Sequence, residues 1–365
     1  MKNAITTTFD TLPAGRVSKV IQIHPSLQCN LTCGHCYSGS APAFKGGLDV
    51  YRLQQVVEEL AGVGYNAISL SGGEPFLYRP LEELLTHTHS LGFFNSITTN
   101  AMLLGSDRAK KVLRQADLIA ISIDGKEQQH DQLRNFEGAF KKMEEGVQVV
   151  KDNVACFGFI HTVFPDNWKI MHWLVQFALN NGAKLLHFHP LEMAGRAAAT
   201  LNSVTFDEES LHKIYIAFHY LKEVYGEQLF MQLDLLHRDY IMDNPAFIFH
   251  QYNTPEFTTA NFSSIFKELI IDEGGDIIPI SHGCSKHFKL GNIYDAVSCT
   301  KMIEQFMQEK MEDVIELYQT TYGFIMDQEE KELVNWSEMV IRFSHQLFDV
   351  QSTGLSMKRR IKELV

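Results

Sequence analysis

The stretch CNLTCGHCY, from Cys29 to Tyr37, places three cysteines within eight residues. It follows the apolar, β-rich segment VSKVIQIHP, so the thiols are expected on the loop at the carboxyl end of a first strand. Structural zinc usually takes four ligands in two close pairs, and no second Cys/His pair has that spacing. The polar loop also disfavours inert core thiols. An iron–sulfur cluster held by three thiolates, with one iron left open, is the favoured interpretation.

The chain on either side of this loop alternates between two kinds of segment. From residue 17 to 190, apolar strand-like segments such as NAISLSG alternate with helical ones such as DVYRLQQVVEELAGVG. Six such strands, apolar on both faces and separated by helices, predict an α/β fold with a parallel sheet curled into a partial (β/α)6 barrel. Functional residues are then expected at the carboxyl ends of the strands.

The pattern changes after residue 200. The segment FDEESLHKIYIAFHYLKEVYG begins with Asp207 as a helix cap, and the residues from 226 to 262 are aromatic and irregular. FKELIIDEGGDIIPI predicts a β-hairpin, and helical segments near 299–318 and 328–350 follow. We therefore expect an N-terminal segment (1–16), a (β/α)6 core (17–200), a connecting region (201–262) and a C-terminal α+β appendage (263–365).

The composition excludes several classes of protein. With 365 residues, 45% of them apolar and 21% charged, the chain is typical of a globular protein with a large core. A formal net charge of -12 would repel a nucleic-acid backbone, and the one basic cluster, MKRRIKELV, is short, so no nucleic-acid partner is expected. No apolar run is long enough to cross a bilayer, and the N-terminus lacks a signal peptide. We therefore expect no membrane partner and a cytoplasmic location, where six cysteines indicate thiols or metal ligands.

Five segments, in order and at predicted strand ends, resemble the motifs of the radical S-adenosylmethionine (radical SAM) enzymes. CNLTCGHCY resembles their CxxxCxxC signature, and LSGGEPFLYRP resembles their Gly-Gly-Glu-Pro motif after the second strand. ITTNAMLL and ISIDGKEQQHDQLR resemble the ends of the third and fourth strands, and HFHPLEMAGRA resembles the end of the sixth. One such motif would be weak, but the ordered set across residues 17–200 is specific.

The resemblance implies two cofactors and an electron donor. Cys29, Cys33 and Cys36 would hold one [4Fe–4S] cluster, and SAM would chelate the open iron. One electron passed to the sulfonium would break the C5′–S bond, and the resulting 5′-deoxyadenosyl radical would take a hydrogen atom from the substrate. A flavodoxin or ferredoxin is the implied electron donor.

The resemblance also implies a SAM site. Gly72 and Gly73 would let the backbone approach the ligand, and Pro75 would fix the turn. Glu74 would accept the methionine ammonium. The other residues implied are His35 near adenine, Asn100 at the third-strand end, Ser122, Asp124 and Arg134 near the ribose and methionine, and Arg196 at the methionine carboxylate.

Each of these residues has an ordinary structural alternative. Glu74 is also a plausible helix-start carboxylate, Asp124 with the following glycine is a frequent turn pair, and Arg196 fits a surface position. His187 and His189 alternate on one strand and therefore face the same side. They are expected to line the substrate cavity, with packed or solvated histidines as the alternative.

The segment IIDEGGDIIPISHGCSKHFKLGNIYDA resembles the hairpin that opens the SPASM/twitch extension of many peptide-modifying radical SAM enzymes. That family normally has a cysteine after the proline of the second strand, but here Ile280 follows Pro279 and Cys284 comes four residues later. Only Cys299 follows the LGNI element. With Cys156, these cysteines are too few for two auxiliary clusters. One cluster with a non-cysteine ligand and a hairpin that has lost its metal both remain open.

Together these features predict a radical SAM enzyme that modifies a ribosomally made peptide by a crosslink or another C–H modification. Two alternatives are a radical SAM enzyme acting on a sugar, nucleoside or amino acid, and a non-catalytic iron–sulfur carrier. Only about 16 residues precede the first predicted strand, so a separate leader-peptide-binding protein is a further expected partner. The aromatic, Asn/Thr-rich residues 240–266 are expected either to grip an extended peptide or to form the interface between barrel and appendage.

Overall fold

A ten-stranded sheet organises the chain in the computed structural model, which describes residues 11–12, 16–244, 258–328 and 331–349. The strands of this sheet are β1 (Val20–Ile23), β2 (Ala67–Leu70), β3 (Phe94–Thr99), β4 (Leu118–Ser122), β5 (Phe157–Val163), β6 (Leu185–Pro190), β7 (Phe230–Leu233), β8 (Glu268–Ile271), β9 (Asp276–Ile278) and β10 (Gly291–Asn292). Their order across the sheet is β10-β9-β8-β1-β2-β3-β4-β5-β6-β7.

The six central strands confirm the predicted (β/α)6 arrangement. β1 to β6 are neighbours in chain order and every pair among them is parallel, as are β8 with β1 and β6 with β7. Within the described part of this sheet, only the β8–β9 and β9–β10 pairs are antiparallel. Because the strands from β8 to β7 run in one direction, their carboxyl ends meet at the same edge of the sheet. The candidate site lies at that edge.

Helices connect the strands and cover the outer face. They are α1 (Val50–Val63), α2 (Leu81–Ser90), α3 (Asp107–Leu113), α4 (Glu127–Arg134), α5 (Ala139–Asn153), α6 (Met171–Asn181), α7 (Gly195–Thr200), α8 (Glu208–Tyr225), α9 (Arg238–Asp243), α10 (Thr259–Ile265), α11 (Cys299–Glu309), α12 (Met311–Asp327) and α13 (Trp336–Phe348). Single 3₁₀ turns occupy Pro75–Leu77, Asn167–Ile170 and Lys286–Phe288. Two short antiparallel pairs join Thr11–Leu12 to Arg16–Val17 and Leu236–His237 to Leu333–Val334.

Local sequence accounts for the predicted helices. The side chain of Asp49 accepts a hydrogen bond from the Arg52 amide at the start of α1, and Gly64 ends the helix at a φ of 106°. Asp207 caps α8 in the same way, as the sequence predicts. The buried face of α1 includes Leu53 and Leu60, which are fully inaccessible and pack into the main hydrophobic core.

The region expected to be irregular, residues 226–262, is partly regular, and that expectation was wrong for its described part. β7 lies within it and extends the barrel sheet beside β6, while α9 and α10 are helical. The prediction failed because β7 has only four residues, of which Met231 and Leu233 alone are buried. A short strand gives little periodic signal, and its neighbour in the sheet determines its conformation.

The predicted hairpin is present as β8 and β9, but it is continuous with the barrel. β8 pairs in parallel with β1, with Glu268 opposite Val20, so the C-terminal region adds strands to the core sheet. Residues 245–257, which carry most of the aromatic segment proposed to grip a peptide, lie outside the described residues, as does the basic C-terminal cluster. The division into four segments stays a prediction. None of the described helices is both long and apolar enough to span a membrane.

Candidate cofactor site

The cysteine loop follows β1, as predicted. Cys33 is buried, Cys29 and Cys36 are half-buried, and all three are free thiols. Their sulfur atoms do not all lie within 4.8 Å of one another, whereas a single tetrahedral zinc ion would hold them about 3.8 Å apart. The wider spacing suits a cluster better than one ion. Burial raises the pKa of Cys29 to about 12, and the neighbouring thiols add to the shift, so bound iron would have to stabilise its thiolate.

Arg196 holds the cysteine loop from the sixth-strand side. Its guanidinium donates to the carbonyl oxygens of Cys33 (2.8 Å), Gly39 (2.9 Å) and Ser40 (2.7 Å), and its amide donates to the Cys36 carbonyl (2.9 Å). Three of its five N–H groups are therefore taken by loop carbonyls. The structure thus gives Arg196 a clear role in fixing the loop, and its predicted pairing with the methionine carboxylate stays a prediction.

The Gly72–Gly73 pair packs against the chain that leads into the cysteine loop. Gly72 has a φ of 94°, and a Cβ there would press on His24. A Cβ on Gly73 would collide with the Gln28 carbonyl, and the Gly73 amide donates to Ser26 O at 2.9 Å. The glycines therefore allow two protein segments to approach each other. Pro75 starts the 3₁₀ turn that follows, as expected for a residue that fixes the turn.

The Glu74 carboxylate is buried and held by three donors. Oε1 accepts from the Thr99 hydroxyl (2.7 Å) and the Phe76 amide (3.2 Å), and Oε2 accepts from the Asn100 amide (2.9 Å). Burial raises the pKa of Glu74, although these hydrogen bonds favour the carboxylate. The Asn100 side chain in turn donates to Asn30 Oδ1 in the cysteine loop at 2.8 Å. The helix-start role is therefore present, and about one acceptor position of the carboxylate is left for a ligand.

A buried ion pair lies at the end of β4. Asp124 Oδ2 accepts from Arg134 Nε at 2.6 Å and lies 3.2 Å from His35 Nε2. Burial alone would raise the pKa of Asp124, but Arg134 and His35 outweigh it and hold that pKa well below its usual value. Arg134 also favours the Cys33 thiolate, although burial keeps the Cys33 pKa raised. Ser122 is half-buried at the end of β4, two residues before Asp124.

One buried atom beside this pair has no protein partner. His35 Nδ1 is inaccessible and has no hydrogen-bond partner among the described residues, while its Nε2 faces Asp124. An unpaired buried polar atom is costly, and a polar ligand at the site would satisfy it. The residues present therefore fit a thiolate-held cluster with a polar ligand beside it.

The sequence profile of the Radical SAM superfamily matches residues 23–178. Residues 23–178 therefore carry a radical SAM domain. This family uses a [4Fe–4S] cluster and SAM, so the cofactor expectation is confirmed at the level of the family. The assignment of individual residues to the SAM molecule stays a prediction.

The named relatives include haem synthases, bacteriocin and killing-factor maturation proteins, and a GTP 3′,8-cyclase. Fe-coproporphyrin III synthase of Methanosarcina barkeri is 28% identical over 186 residues, which are 50% of this chain and 46% of that protein. AlbA, the antilisterial bacteriocin subtilosin biosynthesis protein of Bacillus subtilis, is 23% identical over 270 residues, which are 73% and 55% of the two chains. The chain thus spans about half the length of these relatives.

Two solved structures share the fold at low sequence identity. Streptococcus suis SuiB bound to the precursor peptide SuiA superposes with a TM-score of 0.59 at 16% identity, covering 82% of this chain and 66% of SuiB. Native anSMEcpe with bound AdoMet gives a TM-score of 0.60 at 17% identity, covering 94% of this chain and 98% of the other. Both confirm the α/β radical SAM architecture predicted from the sequence.

A second polar group lies inside the barrel of the radical SAM domain. His187 Nε2 and His189 Nδ1 each lie 2.6 Å from Asp234 Oδ2, and His189 Nε2 lies 3.0 Å from Glu192 Oε1. All four residues are half-buried, so His187 and His189 face the interior together. Burial would lower the pKa of His189, but Glu192 and Asp234 outweigh it and raise that pKa well above its usual value. Sequence reasoning missed Asp234 because it follows the unpredicted strand β7.

The C-terminal hairpin reaches the cysteine loop. The His282 ring, after β9, lies 4.5 Å from the His24 ring and 5.1 Å from the Tyr37 ring, measured between centroids. Tyr37 directly follows Cys36, and its hydroxyl lies 3.2 Å from Ser71 Oγ. The hairpin therefore contacts the cofactor side of the barrel mouth. No sequence signal pointed to His24 or His282.

The remaining cysteines have different surroundings. Cys284 and Cys299 are 3% and 1% exposed and belong to the main hydrophobic core. Burial raises the pKa of each to about 12. Cys284 packs near Ser344 of α13, whereas the Cys299 amide donates to Glu59 of α1, so they face different helices. Their surroundings are those of core thiols.

Proposed function

We propose that the chain is a radical SAM enzyme that modifies a ribosomally made peptide by a crosslink or another C–H modification. The observation that carries the catalytic part is the set of polar groups around the three free thiols of the cysteine loop: Glu74, Asp124, Arg134 and His35. When bound, the cluster and SAM supply one electron and a 5′-deoxyadenosyl radical that abstracts a substrate hydrogen.

The chain's own residues hold and shield this chemistry. Cys29, Cys33 and Cys36 would hold the cluster, and Arg196 fixes their loop through three carbonyls. Glu74 would offer its remaining acceptor position to the SAM ammonium, with Gly72, Gly73 and Pro75 shaping the turn around it. Asn100, Ser122, Asp124, Arg134 and His35 would contact the ribose, methionine and adenine parts. The His282 hairpin over Tyr37 helps to exclude water from the radical.

Charge inside the barrel supports a peptide over a substrate with several carboxylates. Burial is the main cause that raises the pKa of Glu268 to about 7, and the Asp234 carboxylate adds to it. Burial lowers the pKa of His282, opposed by the carboxylates of Glu192, Glu273 and Asp272 at the mouth. Such a lining would repel a polyanionic substrate and accept a neutral or cationic peptide. The likeness to the bacteriocin biosynthesis protein AlbA agrees with this choice.

The second candidate is the modification of a small metabolite or tetrapyrrole. It is supported by the 28% identity to Fe-coproporphyrin III synthase within the radical SAM domain. The carboxylates that face His282 argue against a substrate that carries several propionates. A non-catalytic cluster carrier would not need the buried polar groups around the cysteine loop.

The test is turnover under anaerobic conditions. Reduced, cluster-reconstituted enzyme, with a flavodoxin or ferredoxin as electron donor, should convert SAM to 5′-deoxyadenosine and methionine. A non-catalytic iron–sulfur carrier would not convert SAM.

The short peptide encoded beside the gene is then added, with and without a separate leader-binding protein. A mass loss of two hydrogens indicates a crosslink, and deuterium uptake without that loss indicates epimerisation. An unaltered peptide together with consumption of a sugar, nucleoside or tetrapyrrole would replace the peptide proposal.

A further inference from the structure

We propose that His187, His189 and Asp234 bind one divalent metal ion inside the barrel, separate from the cysteine loop. The two histidines stand two residues apart on β6, so both side chains face the interior. Asp234 follows β7, whose pairing with β6 brings the carboxylate between them. His187 Nε2 and His189 Nδ1 each lie 2.6 Å from the same oxygen, Asp234 Oδ2. Three potential ligand atoms thus converge from two adjacent strands.

The surrounding hydrogen bonds provide a second, independent observation. His189 directs its other nitrogen, Nε2, to Glu192 Oε1 at 3.0 Å. Gln232 Nε2 donates to Asp234 Oδ1 at 3.0 Å, which leaves Oδ2 for the histidines. Metal-binding histidines commonly use the second nitrogen in this way, and metal-binding carboxylates are themselves hydrogen-bonded. The contact of His189 with Glu192 and the hydrogen bond from Gln232 to Asp234 orient the imidazole and the carboxylate, so that the three ligand atoms face one point.

The distances between the three ligand atoms show how far the side chains must move to bind a metal ion. Ligand atoms at about 2.0–2.2 Å from a metal lie about 3.3 Å from one another, so each histidine must move by roughly 0.7 Å from Asp234. A small side-chain rotation is enough, and the half-buried positions leave room for it. The two hydrogen-bonding contacts to Asp234 Oδ2 would be replaced by bonds to the ion.

The three ligand atoms favour certain metal ions and leave part of the ion free to bind a substrate. Two imidazoles and one carboxylate suit Zn²⁺ or Fe²⁺ better than Mg²⁺ or Ca²⁺, which prefer oxygen ligands alone. Three protein ligands leave coordination positions open on the cavity side. An ion there would bind an oxygen or nitrogen donor of the substrate. Metal binding itself does not depend on the proposed peptide substrate.

One other grouping of possible ligands occurs in the described chain. His24, Glu273 and His282 also have ligand atoms within 4.8 Å of one another. Glu273 is exposed there, and His24 Nε2 already lies 2.9 Å from Gln22 Nε2. This grouping lacks the outer carboxylate partner that His189 has. It therefore supplies the control for the experiment.

The experiment measures zinc on the intact holoenzyme. Reconstituted protein is cleared of loosely bound metal by a chelating resin and dialysed anaerobically against zinc chloride with excess magnesium. Zinc and iron are then counted per chain. We expect one tightly bound zinc without loss of cluster iron. The His187→Ala/His189→Ala double variant should lose this zinc, and Asp234→Asn should bind it at least about tenfold more weakly.

Variants around the site separate metal binding from misfolding. Glu192→Gln should weaken zinc binding about tenfold through its effect on His189, whereas His282→Ala should bind zinc like the wild type. All variants should keep the iron content of the wild type, which shows that they fold around the cluster. A wild type that binds no zinc, or zinc that persists in the double variant, overturns the proposal. So does zinc uptake matched by iron loss, or zinc lost only in His282→Ala.

Discussion

Two of the cysteine-containing regions, the loop after β1 and the C-terminal region, place the same side chain in different environments. In the loop after β1, Cys29, Cys33 and Cys36 lie among carbonyls, carboxylates and a guanidinium. In the C-terminal region, Cys284 and Cys299 are almost fully buried among apolar side chains. Both environments raise thiol pKa values by burial. The first surrounds three thiols with a guanidinium, carboxylates and backbone carbonyls, whereas Cys299 has the single carboxylate of Glu59 beside it and Cys284 the Ser344 hydroxyl.

The difference shows that cysteine number and order are weak guides to metal binding. The C-terminal hairpin has kept its strands, and β8 has become part of the barrel sheet by pairing with β1. Its cysteines pack as small apolar groups. A cluster site needs several thiols that share polar support, and the loop after β1 brings three thiols together with such support.

The largest expected effect tests this division directly. Changing Cys29, Cys33 and Cys36 together to Ala should remove nearly all of the roughly four iron and four sulfide of one cubane, because no other thiolates can hold it. Iron and sulfide analysis after anaerobic reconstitution measures the loss. If the triple variant kept most of its iron, then Cys156, Cys284 and Cys299 would hold a second cluster, and the comparison would fail.

The polar support of the loop should also stabilise the fold. Asp124→Asn leaves Arg134 charged and buried without its counter-charge, which should cost about 3–5 kcal/mol in the free energy of unfolding. Urea unfolding of the reconstituted protein measures it. The matched control is Glu209→Gln, which removes the exposed ion pair with Lys213 and should cost less than about 0.5 kcal/mol. Equal losses in both variants would mean that the buried pair is no more important than a surface pair.

Variants of Glu74 test whether its carboxylate binds SAM beside the cysteine loop. Glu74→Ala should weaken SAM binding by about 2–4 kcal/mol, because it removes an ionic acceptor from a desolvated ammonium. Calorimetric titration of reconstituted protein with SAM gives the value. Glu74→Gln keeps the size and one acceptor, so it isolates the charge. Wild-type SAM affinity in both variants would restrict Glu74 to its contacts with Thr99, Asn100 and Phe76.

The smallest effect is expected at the C-terminal cysteines. Cys284→Ala and Cys299→Ala should each cost roughly 1 kcal/mol of stability, since each removes one buried sulfur from a packed core. Iron content and SAM cleavage should not change. Thermal unfolding and iron analysis on the same samples give both quantities. A loss of iron in either variant would show that these thiols are ligands.

Much of the architecture was accessible from the sequence because it depends on local patterns. The apolar runs of the strands, and the helical periodicity and caps of the helices, are set by residues close together in the sequence, so they can be read without the tertiary structure. β7 was missed because four residues carry too little pattern, and with it Asp234 was missed as a partner of His187 and His189. Arg196 was linked to the cofactor, but its contacts with loop carbonyls depend on residues more than 150 positions away.

By itself, the sequence determined the kind of protein: the order of strand-end motifs identified a partial (β/α)6 barrel, a three-cysteine loop and the family's cofactors. Those features are local, because a short motif needs only the strand before it to be placed. Tertiary structure alone decided that β8 joins β1, that Asp234 lies between two histidines and that His282 packs on Tyr37. These contacts join residues far apart in the chain, and their formation depends on the packing of the whole sheet.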